Sequence, residues 1–220
     1  SARFGVDYRQ FIPSDLPDEG MLEPHSVATD NFNRANQTPM GDSSEGWSWT
    51  EVDGAYRILT NEARPTTVVQ RGAARAEFDL SSSDHATTAE FADGGTSALL
   101  GPATRYSPTA DTDYVGTHRN QTTFTYNIYK MIDGVATNLS QLDTTAPGTG
   151  LLTDKMSSDG STQEFTSEDV VRNTVTDTSI TGNLRGGFFT QQTGHRIDDF
   201  NTADLAIDLP GNRLNVLLRM

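Results

Sequence analysis

The sequence predicts an all-β fold, an antiparallel β-sandwich, and three observations predict it. Apolar and polar residues alternate through Phe124-Thr125-Tyr126-Asn127-Ile128, the period of a strand with two distinct faces. Strand-prone segments separated by turn residues recur about every eight to twelve residues, as in sandwiches and barrels. Thr, Ser, Asp, Asn and Gly dominate the polar positions, a mixture that favours strands and turns over helices. With 220 residues and 34% apolar content, the chain is long enough to form one sizeable core.

Residues 1–29 form an extended N-terminal arm in this reading. They carry Pro13, Pro17 and Pro24, acids from Asp15 to Glu23, and isolated apolar residues. Such a segment is either a tail or an arm that orders on a partner, and Phe4, Tyr8, Phe11 and Ile12 are the candidate docking residues. The sandwich domain is expected over residues 30–220. Trp47–Val52 and Tyr56–Leu59 read as a hairpin closed by Asp53-Gly54. Thr66–Gln70 and Ala73–Leu80 follow, then a polar break at Ser81–His85 and a strand over Ala86–Ala92.

The stretch from Leu99 to Leu139 is the most regular and reads as a four-strand meander. Leu99–Tyr106 ends at the turn residues Ser107–Asp111, and Tyr114–Arg119 ends at Asn120-Gln121. Asp133-Gly134, flanked by β-formers, is a strong signal for a type I′ hairpin between Phe124–Ile132 and Val135–Leu139. A loop over 143–150 precedes Leu151–Ser157, a turn at Ser158-Asp159-Gly160, and strands at Thr162–Thr166 and Val170–Val175. Gly186–Thr190 carries a glycine pair that suggests a bulge or close backbone approach. Arg196–Asn201 follows, and strands at Asp204–Leu209 and Arg213–Arg219 close the domain over 204–220.

Charge and composition exclude several function classes. A net charge of −14 and a pI near 4.5 argue against nucleic acid as a partner, because affinity for phosphates comes chiefly from Lys and Arg. No run of eighteen apolar residues occurs, so membrane insertion by a helix is not expected. The opening SARFGVDYRQ lacks the layout of a signal peptide and begins as if an initiator Met had been removed. The absence of Cys removes disulfides, zinc thiolates and thiol nucleophiles together, in keeping with a reducing compartment.

The order of motifs resembles a known family. DNFNRA, a W-x-W strand, Asp53-Gly54 with Tyr56-Arg57-Ile58, SSDH, LLGPATRYS, DTDY, YNIYKMIDGVATNL, DTSITG, RGGF and IDDF together resemble the concanavalin A-like lectin/glucanase jelly roll. The type is the one found in bacteriophage structural and minor tail proteins, and the match spans about Asp30 to Phe200. The resemblance implies a non-enzymatic virion component, a head decoration or minor tail protein assembled in the host cytoplasm. It would be held by its arm and by sheet edges to other virion structural proteins, in a homo-oligomeric assembly. The alternative is a secreted or extracellular carbohydrate-binding module that recognises a cell-surface or extracellular glycan.

The glucanase branch of that fold uses carboxylates spaced along one strand, because glycoside cleavage needs an acid and a nucleophile flanking the bond. Glu77 and Asp79 begin such a pattern, but Ser81–Ser83 occupy the place of its second Glu, so no enzyme and no catalytic residue is expected. His25, His85, His118 and His195 lack metal-ligand spacing and read as surface or turn residues. No cofactor or metal is required; Asp111 and Asp113, and Asp198 and Asp199, are the oxygens that calcium could use. Trp47, Trp49, Tyr106 and Tyr114 are the candidate glycan-stacking aromatics, with a core position the competing role for the two Trp.

Overall fold

Alternating sequence builds fifteen antiparallel strands and no helix among the described residues. The computed structural model describes residues 26–68, 71–92, 98–119, 124–144 and 151–205. The docking candidates Phe4, Tyr8, Phe11 and Ile12, together with His25 and the strands expected beyond residue 205, lie outside them. In chain order the strands are β1 (Val27–Asp30), β2 (Trp49–Asp53), β3 (Ala55–Leu59), β4 (Glu62–Thr67), β5 (Gly72–Ala76), β6 (His85–Ala92), β7 (Leu100–Tyr106) and β8 (Asp113–Arg119). They continue as β9 (Phe124–Ile132), β10 (Val135–Thr144), β11 (Leu151–Asp159), β12 (Thr162–Ser167), β13 (Val170–Thr176), β14 (Arg185–Thr190) and β15 (Arg196–Asp204).

Two sheets stack face to face. The front sheet has the order β10-β9-β8-β7-β14-β5-β2, and the back sheet β13-β12-β11-β6-β15-β4-β3 with β1 beside β15. The meander expected from Leu99 to Leu139 is present as β7 to β10. Its hairpin turns at Asp133-Gly134, with φ of 48° and 79°, the left-handed pair that a type I′ turn needs. The glycine N–H also donates to Asp111 O at 2.8 Å, tying this turn to the β7–β8 loop.

Three expectations are corrected. Asp53-Gly54 does not close a hairpin: β2 pairs with β5 in the front sheet, whereas β3 pairs with β4 in the back sheet. The chain changes sheet at that point. The β3–β4 hairpin turns instead at Thr60-Asn61, with φ of 54° and 61°, where no glycine marks the turn in the sequence. The N-terminal boundary also moves, because Val27–Asp30 pairs with Phe200–Ala203 of β15. Finally, the strand expected over Ala73–Leu80 stops at Ala76, since Glu77 and Asp79 leave the sheet to bind Arg185.

Two aromatic clusters fill the space between the sheets. Phe32, Trp47, Trp49, Tyr56, Phe91, Phe188 and Phe200 pack at one end, with Trp49 and Phe200 centroids 4.8 Å apart. Tyr114, Phe124, Tyr126, Met156 and Phe165 pack at the other. Buried hydroxyls pair between elements, as with Thr87 and Thr202 at 3.0 Å and Thr104 and Ser158 at 2.7 Å. The sheets approach closely at Gly116, where a Cβ would sit 2.3 Å from the Phe165 ring. Gly116 therefore faces inward, and Val115 and Thr117 on either side face outward.

Gly134→Val should destabilise the protein by roughly 1–3 kcal/mol, the range for a residue forced into a sparsely populated backbone region. Urea unfolding measures this, and an unchanged midpoint would show that the turn tolerates a side chain.

Candidate functional site

The outward face of the front sheet carries an apolar cluster of its own. Ala73, Ala103, Tyr106, Val115, Met131 and Phe189 pack there, with Val52, Leu99 and Tyr129 at the margins. A sheet face exposed to water is usually polar, so this face needs cover. Part of it comes from the loop after β7. Tyr106 Oη donates to Asp111 Oδ1 at 3.0 Å, Ser107 N–H donates to Thr112 O at 2.9 Å, and Arg75 donates to Ser107 O at 2.7 Å.

Beside that cover a cavity of about 110 Å³ opens, lined by Leu99, Val115, Thr117, Tyr129, Met131, Ala136, Phe189 and Gln191. Its floor is buried and its rim, at Leu99, Tyr129, Ala136 and Gln191, is accessible. Thr117 is wholly buried, and its Oγ1 has no hydrogen-bond partner among the described residues. Gln191 Oε1 accepts the Leu99 N–H at 3.0 Å, which fixes the amide and leaves Nε2 as its remaining donor. Along the same face lie Arg119, whose buried Nε lacks a partner among the described residues, and Asn127, which accepts from Asn138 at 3.3 Å.

The sequence-predicted site residues lie elsewhere. Trp47, Trp49 and Tyr114 are inside the sandwich, and Tyr106 is buried under the β7–β8 loop. None of the four rings has a face open to a pyranose, because each fills core or is covered. Tyr114 instead hydrogen-bonds Asp177 at 2.5 Å, and Trp49 Nε1 donates to Asp30 at 2.8 Å. Tyr129, the partly exposed aromatic at the cavity rim, was missed. Its signal was present, since it alternates with Ile128 and Lys130 in the most regular strand.

Glu77, Asp79 and Asp111 are each paired with a cation of the chain itself. Asp79 accepts from Arg185 Nε at 2.5 Å, and Glu77 accepts from Arg75 at 2.8 Å and also contacts Arg185. Partial burial pushes the Glu77 carboxyl up, but hydrogen bonds from Thr50 and Arg75 and two nearby guanidinium charges outweigh it and hold it low. The hydrogen bond from Arg185 lowers Asp79 likewise. Asp111 meets the Arg71 guanidinium, so a cation already sits beside the Asp111–Asp113 pair. Among the described residues no group of three or more acidic or histidine side chains converges as a metal site.

The histidines expected at the surface are interior. His85, His118 and His195 are at most 1% exposed. His118 falls on the inward face of β8, pairs with Asp154 and stacks on Phe124 at 5.4 Å. Burial pushes His85 down to about 4, while its Nε2 accepts the Arg105 N–H at 3.0 Å. Burial, with the neighbouring His118, lowers His195 to about 4 as well.

These two stacked antiparallel sheets form a β-sandwich of jelly-roll type. No protein-family model matches the chain, and no curated protein matches it in sequence. Its fold is similar to carbohydrate-binding module CBM66 from Bacillus subtilis, with TM-score 0.56 and 14% identity over 71% of this chain and 91% of that one. It is also similar to the CBM2 module of the evolved Dit of Lactobacillus casei BL23 phage J-1, with TM-score 0.55 and 9% identity over 84% and 99%. A Bacillus subtilis protein of galectin-like fold matches at TM-score 0.51 and 11% identity over 77% and 96%. At these identities the likeness is one of fold.

Asp113, beneath Tyr106, is pushed up to about 7 by burial, against the charge of Arg71 and a hydrogen bond from Tyr106. A carboxyl raised in the folded state stabilises fully below its unfolded value near 3.8, and that contribution is lost as pH rises toward 7. Asp113→Asn should therefore stabilise the protein at pH 8 by on the order of 4 kcal/mol, with the gain shrinking from pH 7 to pH 4. Thermal unfolding of both proteins across that range checks it.

Proposed function

We propose that this chain is a non-enzymatic, lectin-like module of a bacteriophage particle that binds a glycan on the outward face of its front sheet. The observation that carries the reading is the cavity beside Tyr129. An accessible aromatic rim suits the apolar face of a pyranose, and fixed amide, hydroxyl and guanidinium donors suit its oxygens. The donors at Thr117 and Arg119 are buried without partners among the described residues, which costs stability unless a ligand supplies acceptors.

Binding without cleavage follows from the carboxylates. Cleavage needs one acid held protonated near neutral pH beside an ionised partner. Glu77 and Asp79 are both held low by Arg185 and its neighbours, so neither can act as that acid. Asp113 is raised but closed off beneath Tyr106, and Asp198, raised to about 6 by burial beside Asp199, Glu62 and Glu90, lies on β15 of the back sheet rather than at the cavity.

The virion setting is supported by the likeness to a phage Dit module and by the sheet edges. β10 ends the front sheet with ten residues, of which Asp143 is the one charge. Val135 is 68% exposed there, and Val170 and Val171 of β13 are exposed on the back sheet. A long edge without Lys, Arg or Pro, as β10 is, is ready to pair with another chain, while β13 carries a charge in Arg172. The N-terminal segment, with Phe4, Tyr8, Phe11 and Ile12, supplies a docking sequence to a neighbouring virion protein.

Tyr129→Ala should leave the melting temperature nearly unchanged and lower glycan retention on host cell-envelope polysaccharide at least tenfold, as expected for loss of a stacking platform. Equal retention by the variant would place the binding face elsewhere. Deleting residues 1–25, which spares β1, should give a folded sandwich that no longer joins the particle. Full incorporation of the truncated chain would shift attachment to the sheet edges.

A further inference from the structure

We propose that the cavity receives the N-acetyl group of an acetamido sugar, an inference that rests on the glycan-binding reading and gives it a substrate class. The volume limits the guest. An apolar cavity of about 150 Å³ admits a benzene ring, and this one, at about 110 Å³, takes a substituent while the sugar ring stays at the rim against Tyr129. The lining limits it further. Val115, Met131 and Phe189 form a floor that offers no hydrogen bond, so a hydroxyl or hydroxymethyl group driven into it would lose its water without compensation. A methyl group gains from the same burial.

A methyl alone leaves the polar wall unused. Thr117 lines the cavity, and its Oγ1 is buried without a partner among the described residues. Gln191 is fixed by the Leu99 N–H on its Oε1, so what it has left to offer is Nε2–H. These are two donors above an apolar floor, and they call for a carbonyl oxygen next to a methyl group. The acetamido substituent has that arrangement. The methyl of a 6-deoxy sugar would fill the floor but bring no acceptor to the wall. A uronate or other anionic substituent is disfavoured, because no charged side chain lines the cavity.

The test uses the full chain with chitotriose, cellotriose and methyl glycosides of N-acetylglucosamine, N-acetylgalactosamine, glucose and rhamnose. Saturation-transfer NMR should place the strongest saturation on the acetyl methyl protons, and calorimetry should give chitotriose at least a tenfold advantage over cellotriose. Thr117→Val should reduce that affinity roughly tenfold, the scale of a lost hydrogen bond to a buried carbonyl. The same variant should melt no lower than the parent, since an unpartnered buried hydroxyl is replaced by a methyl of equal size. Ala136→Trp, at an exposed rim position, should block the mouth and abolish the preference. Equal binding of chitotriose and cellotriose, or rhamnoside binding that Thr117→Val leaves intact, would overturn the acetamido assignment while keeping the glycan-binding reading. Absence of binding to every saccharide would overturn both.

Discussion

One backbone irregularity in β7 organises the site. Between Ala103 and Tyr106 the strand advances three residues while its partner β14 advances two, from Gly187 to Arg185. The extra residue is Arg105, held at φ of 49°, a conformation that is strained for a non-glycine residue. Its guanidinium compensates. It is 2% exposed and donates to Ser83 O at 2.9 Å, Ile180 O at 3.0 Å, Gly160 O at 2.8 Å and Asp84 Oδ1 at 3.0 Å. A buried cation so completely hydrogen-bonded ties the end of β7 to three other segments of chain, whereas an incompletely paired one would be strongly destabilising.

The bulge also sets which way the chain faces. Counting by two from Ala103, which faces outward, Tyr106 would point into the sandwich. The inserted residue flips it outward, and the following loop is carried over the front sheet through the Tyr106–Asp111 contact. The cover and the cavity beside it therefore derive from a single extra residue. This explains why the outward face can be as apolar as Val115, Met131 and Phe189 make it without being left to water.

The same irregularity marks the limit of what the sequence made legible. Strands with clean alternation were legible, and β7 to β9 appear within a residue of their expected bounds, while β10 begins where Asp133-Gly134 places it but runs past the expected Leu139 to Thr144. The turn at Thr60-Asn61 was not, since neither residue is a glycine, and Asp53-Gly54 misled because turn chemistry does not say whether the next strand pairs or crosses to the other sheet. Tyr106 was a candidate ligand aromatic because a pyranose stacks on an aromatic face, and the bulge that buries it has no local sequence signature. Trp47 and Trp49 share a face, as their spacing implied, but spacing cannot say that this face looks inward. Glu77 and Asp79 were recognised as an incomplete acid pair; their partner Arg185 lies more than a hundred residues away and only the fold brings it there.

Buried hydroxyls that lack a partner differ in where they lie. Between the sheets three hydroxyl pairs form, Thr104 with Ser158, Thr87 with Thr202, and Tyr56 with Thr190 at 2.8 Å, while the buried Tyr126 Oη and Ser167 Oγ lack a partner among the described residues. Such pairing is expected, because leaving a buried hydroxyl unmatched costs about 1–3 kcal/mol, a sizeable share of a domain's net stability. On the outward face Thr117 keeps a hydroxyl buried without a partner among the described residues, in a strand position where Val would pack as well. The cost has no structural return there, since the residue already supplies its strand hydrogen bonds and its volume. What sets Thr117 apart from Tyr126 and Ser167 is its place on the outward face, at a residue that lines an accessible cavity, where a ligand can offset that cost.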